Sequence, residues 1–120
     1  YKKINLIDFE EGSVYKESEV KMFFIFCSGI QNGNIYGDGI ALIKDSQVIE
    51  FLSYKNTFFG KEGPCKNISS TRIGIEDLTT TKDTSVQRTG TGWYKDDFEW
   101  SVSVSNFGKI NKCQYFTKPS

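Results

Sequence analysis

Apolar positions along this chain come in short runs, and within the runs they recur with the period of a strand. In "DDFEWSVSVS" (96–105), Phe98, Trp100, Val102 and Val104 occupy every second position and predict a half-buried strand. "KKINLIDF" (2–9) alternates Ile4 and Leu6 with polar neighbours and predicts another. "VKMFFIFC" (20–27) is apolar on both faces after Lys21, which predicts a central strand covered on both sides. "GIALIK" (39–44) and "QVIEFLSY" (47–54) flank Lys44-Asp45-Ser46-Gln47 and predict a hairpin. Ile40, Leu42, Val48 and Leu52, or their opposite-face partners, are expected in its core.

The segments between these runs are polar or punctuated. "GSVYKESEV" (12–20) reads as a connection, with a strand start at Val14-Tyr15. "KNTFFGKEGPCKNISSTRIG" (55–74) reads as a loop, because Gly60, Gly63 and Pro64 interrupt it and Pro64 has no amide for a ladder. "TSVQRTGTG" (84–92) predicts a short strand followed by glycines. The tail "NFGKINKCQYFTKPS" predicts a closing turn and a trailing segment. No repeat, low-complexity tract or linker divides the chain. Short strands separated by turn signals predict one all-β domain over 1–120, a β-sandwich.

Composition narrows the function. Fifteen Lys and Arg balance fifteen Asp and Glu, so no global field draws the chain to nucleic acid or anionic membrane. No apolar run approaches the ~20 residues of a membrane-spanning helix. Histidine is absent, which removes the commonest general base and metal ligand at neutral pH. The three cysteines, Cys27, Cys65 and Cys113, form no Cys-x-x-Cys pair and do not suggest structural zinc. Their number fits either one disulfide with one buried thiol or three buried thiols.

Candidate chemistry is sparse, and no cofactor is expected. The glycines of "RTGTGW" match a phosphate cradle only in part, since no helix follows; a loop with positive φ is the plainer reading. Trp93, Tyr94 and Lys95, with Arg88 nearby, form a candidate ligand site. Two aromatic rings beside cations can stack on a base or sugar, although packing on the sandwich edge explains them as well. Asp96, Asp97 and Glu99 are candidates for calcium or, more simply, a solvated acidic face. Asp38, before Gly39, is expected to hydrogen-bond its own backbone. Serine and threonine abound, but none has a recognisable base, so no catalytic residue is assigned. Asn67-Ile68-Ser69 matches a glycosylation acceptor, a triplet that chance often supplies.

The order of the segments carries more than their composition. "SGIQNG", "DGIALIKDSQVIEFLSY", a Gly-Pro loop, "SSTRIGIED", "TSVQRTGTG", "DFEW" and "FGKIN" follow one another at defined spacings. The string resembles the lamin-tail domain, in the form attached to secreted bacterial nucleases and other extracellular proteins, and it covers about residues 20 to 116. The chain departs from that pattern at its start, where the family's opening "INE" and "GWSL" strands are not found. Cys65 and Cys113 also stand where the family carries small residues.

The resemblance implies an immunoglobulin-like β-sandwich, incomplete at its N-terminus, with an apolar face left exposed on the 20–27 strand or the 39–54 hairpin. It implies a non-catalytic accessory module of a secreted or cell-surface protein, contacting nucleic acid, polysaccharide or a neighbouring enzyme domain of the same polypeptide. The alternative is a structural spacer that positions a nuclease or other hydrolase domain. It also leaves Cys65 and Cys113 as a candidate disulfide pair, with Cys27 a buried thiol.

Overall fold

The computed structural model describes residues 3–17, 19–26, 38–75 and 83–120. Cys27 and the Asn32-Gly33 turn lie outside the described residues. Eight strands and no α-helix are found among the described residues, so the protein is all-β. Among the described residues no helix is long and apolar enough to cross a membrane. The chain divides into two compact units, one formed by Tyr1–Ser28 with Thr79–Ser120 and the other by Gly29–Leu78.

The second unit is built on the expected hairpin. Strands β3 (Asp38–Lys44) and β4 (Gln47–Tyr54) pair antiparallel. Asp45 and Ser46 both take positive φ, 51° and 65°. That is the signature of a two-residue turn whose twist matches the strands it joins. At the far end Asp38 Oδ1 accepts the Gly39 amide at 2.9 Å, the local backbone bond expected of it. A short third strand, β5 (Thr71–Arg72), runs parallel to β4, giving the order β3-β4-β5.

The loop of residues 55–70 folds back over one face of this sheet. Phe58 meets Phe51 edge-on at 5.7 Å. Ser70 Oγ donates to Ser53 Oγ at 2.7 Å and accepts the Phe58 amide at 2.9 Å. Ser53 is thereby fully enclosed, and its hydroxyl has the partner that burial demands. Of the two faces expected as alternatives, the opposite-face one is covered: Ile40 and Leu42 are exposed, Ile40 by 59%, while Ser53 is enclosed and Phe51 half-buried. The loop covers the face of Phe51 and Ser53, whereas Ile40 and Leu52 pair across the other face. Val48, Phe51 and Leu52 are half-buried and Ile49 is exposed.

The first unit is a small two-sheet sandwich. Strands β1 (Glu10–Tyr15) and β2 (Val20–Phe24) form one hairpin. Strands β6 (Thr84–Gly92), β7 (Glu99–Val104) and β8 (Gln114–Phe116) form a sheet of order β7-β6-β8. β6 runs antiparallel to β7 and parallel to β8. Tyr15 packs on Phe116 and Phe24 on Phe107, both edge-on.

A bulge fastens the hairpin to the turn after β7. Pairing of β1 with β2 shifts between Glu11 and Val14, which frees Gly12 and Ser13 from the ladder. The Ser13 amide then donates to Gly108 O at 3.0 Å, and Ser13 Oγ accepts the Ile110 amide at 2.8 Å. A Cβ at Gly12 would collide with the Gly108 carbonyl; glycine is what permits the approach.

Three expected elements differ. Residues 6–8 form a 3-10 turn, and the first strand begins at Glu10. Among the described residues β2 pairs only with β1, and Phe23 and Phe26 are exposed, so it is not a central strand covered on both faces. "RTGTG" is not a loop. It is the end of β6, where the Gly90 amide donates to Cys113 O at 2.8 Å and Gly92 O accepts the Thr117 amide.

Candidate functional site

The first unit contains an open cavity of about 760 Å³ between the β2 end, β6 and the turn after β7. Its apolar walls include Met22, Phe26, Phe107 and Trp100. Its polar lining is dominated by side-chain amides: Gln87 from β6, Asn106 and Asn111 from the turn, and Gln114 from β8. It is an open surface depression, mostly apolar in its lining with a few placed polar groups.

The four amides form one continuous relay. Gln87 Nε2 donates to Asn106 Oδ1 at 3.0 Å, and also to Ser85 Oγ and Val104 O. Asn106 Nδ2 donates to Asn111 Oδ1 at 3.1 Å. Asn111 Nδ2 donates to Gln114 Oε1 at 2.9 Å and to Arg88 O at 3.0 Å. Each amide orients the next, so the polar surface of the cavity is fixed before anything binds. Gln87 and Gln114 are only 5% and 7% exposed. At the two ends of the relay, Gln87 Oε1 and Gln114 Nε2 have no protein partner among the described residues. A buried amide atom in that condition carries a desolvation cost, which a hydrogen-bonding occupant would relieve.

The expected candidates Arg88, Trp93, Tyr94 and Lys95 stand in different settings. Arg88 lines the cavity, and its guanidinium sits 4.3 Å above the ring of Trp100, its cross-strand neighbour. Trp93, Tyr94 and Lys95 do not line the cavity. They belong to the tight turn between β6 and β7, where Asp97 Oδ2 accepts the amides of Trp93 and Tyr94 at 2.9 and 2.8 Å. These two bonds hold the Asp97 carboxyl below its ordinary pKa. Tyr94 is exposed and Trp93 half-buried. Asp97 is thus a backbone clamp. Among the described residues no three acidic, Cys or His side chains converge as a metal site.

The candidate disulfide is not formed. Cys65 and Cys113 are both free thiols, Cys65 buried in the Gly63–Cys65 turn of the second unit and Cys113 exposed before β8 in the first. Burial pushes the Cys65 thiol pKa up, which makes it a poor nucleophile.

The four amides of the relay were missed by sequence reasoning, because neutral polar residues carry no periodic signal. Gln87 and Asn111 nevertheless lie inside the segments "TSVQRTGTG" and "FGKIN" that carry the lamin-tail resemblance. No family model matches the chain, and neither does any curated protein or solved structure.

Proposed function

We propose that the chain is a non-catalytic glycan-binding module, lamin-tail-like in kind, that serves a secreted or cell-surface protein. The observation that carries the reading is the pair of buried amide ends, Gln87 Oε1 and Gln114 Nε2, set at an apolar-walled cavity. Sugar hydroxyls both donate and accept, and so match an acceptor and a donor offered together. The apolar faces of sugar rings match aromatic walls. A peptide would more often be captured along a sheet edge by its backbone. Nucleic acid is disfavoured by a net charge of zero, since phosphate contacts supply most of its affinity. The lining offers amides, a guanidinium and an ammonium, which suits holding a ligand better than moving a proton.

The spacer reading draws on a different observation. Arg88 already covers one side of Trp100, and most relay bonds are internal, as they would be in a purely structural brace. Calorimetry across a panel of neutral and acidic oligosaccharides separates the two. The binding reading expects at least one sugar to bind with micromolar to millimolar Kd, and expects Gln114→Met to weaken it while the circular dichroism spectrum is kept. A panel with no binder supports the spacer.

A further inference from the structure

The four relay amides all run in one direction. At each step a nitrogen donates to the next oxygen, from Gln87 to Asn106 to Asn111 to Gln114. Backbone carbonyls pin that direction. Val104 O accepts Gln87 Nε2 at 2.9 Å, Ile110 O accepts Asn106 Nδ2 at 3.1 Å, and Arg88 O accepts Asn111 Nδ2 at 3.0 Å. Turning any of these amides over would set its oxygen against a carbonyl oxygen. Gln114 is oriented in turn, because its Oε1 must face Asn111 Nδ2. The two ends therefore have fixed and opposite character: an acceptor at Gln87 Oε1 and a donor at Gln114 Nε2.

Both ends belong to side chains more than nine-tenths buried, and both side chains line the cavity. A group that accepts from Gln114 Nε2 and donates to Gln87 Oε1 would turn the open chain into a closed cycle. Hydrogen bonds in such a chain polarise and strengthen one another. Each existing link is a planar amide that receives a bond at its oxygen and passes one on from its nitrogen. A fifth amide, with C=O on Gln114 and N–H on Gln87, continues the same pattern. The walls that include Met22, Phe26, Phe107 and Trp100 suit a methyl group carried beside that amide, since its burial is favourable. A hydroxyl fills both polar roles from one oxygen but brings no apolar group with it.

We infer that the occupant is an N-acetylated amino sugar whose acetamido group closes the relay. Its carbonyl accepts from Gln114 Nε2, its N–H donates to Gln87 Oε1, and its methyl meets the apolar wall. The inference rests on the glycan reading above and adds the chemical group that is read. The test is calorimetric titration of the full chain with two matched pairs of trisaccharides. One pair is cellotriose and triacetylchitotriose; the other is galactotriose and its 2-acetamido counterpart. Within each pair the sugars differ by hydroxyl against acetamido at C2. In at least one pair the acetamido member should bind about tenfold or more tightly, about 1.4 kcal/mol. Gln114→Glu keeps an acceptor for Asn111 and replaces the free donor by a second acceptor. It should bring the two members within about threefold, because a hydroxyl can turn to donate and an acetamido carbonyl cannot. If that variant does not fold, the question passes to the ligand: a trimer with acetoxy in place of acetamido keeps the carbonyl and methyl but lacks the N–H. It should lose the preference, and an unchanged preference would refute the assignment. Equal binding within both pairs overturns the acetamido inference and leaves the glycan reading standing. Tighter binding of a blocked peptide, acetyl-alanine methylamide, than of any trimer overturns the sugar as source of the amide. No binding of any trimer by a folded chain overturns the acetamido inference, and the wider panel above then decides the glycan reading.

Discussion

Single side chains decide the local chemistry of this protein. Asp97 illustrates how. Its carboxylate is stabilised by the Trp93 and Tyr94 amides, and its pKa in the folded state lies below the ordinary value. A group depressed in this way contributes stability that is fully present above the unfolded pKa, about 3.9, and is lost as pH falls through the folded value. The Trp93 and Tyr94 amide resonances should therefore hold steady from pH 7 to about 5 and shift only below about 4. Asp97→Asn should abolish that titration. A midpoint above the ordinary carboxylate value would contradict the clamp. The thiols offer a second check at this scale. Cys113 should be alkylated quickly by iodoacetamide and Cys65 only slowly, as read by peptide mass mapping, because burial disfavours the Cys65 thiolate. Equal rates would contradict the burial of Cys65.

The elements show which parts of a fold can be read from sequence. The β3–β4 hairpin was legible because alternation and a two-residue turn agree, and the strand over 99–104 was legible from its every-second-residue apolar run. β1 was not. Glu10, Glu11, Gly12 and Ser13 carry no apolar pattern, and the strand exists because β2 pairs with it and the turn at Gly108 receives its bulge. The expected strand over 2–9 differs in the opposite sense across its described residues 3–9, where two alternating apolar residues are too few to hold a strand and a 3-10 turn forms instead. The relay could not be read because it depends on β8 lying parallel to β6 on the edge opposite β7, a pairing of strands that β7 separates along the sequence. Turn chemistry also supplies a stability prediction. Ser46 sits at φ 65°, a region that costs a residue with a side chain about 1–2 kcal/mol. Part of the gain from glycine is offset by its freer unfolded state. Ser46→Gly should raise stability by about 0.5–1 kcal/mol, seen as a higher urea midpoint at unchanged slope. A lowered midpoint would mean the turn is not of the type described.

Across the molecule, apolar burial is thin. Among the described residues the buried hydrophobic side chains are Cys65 and Phe98 alone, while Phe23, Phe26, Phe59, Phe107 and others remain exposed. Small β domains stand only a few kcal/mol above unfolding, so polar order contributes a large share here. Much of that order is concentrated in the hydroxyl pair of Ser53 and Ser70 and in the amide relay. A relay that fixes four amides and leaves its two ends without protein partners is the central feature of the first unit. The claim that those ends meet a sugar is tested most directly by observing them. In titrations of the nitrogen-15-labelled chain with neutral galactotriose, with tri-galacturonate and with triacetylchitotriose, the side-chain amide resonances of Gln87 and Gln114 should shift together, saturably, and with the same Kd, for at least one of the three sugars. The backbone amides of Asp45 and Ser46, in the other unit's hairpin turn, should not move. Unchanged Gln87 and Gln114 resonances at millimolar sugar, in a chain shown to be folded, would contradict the account.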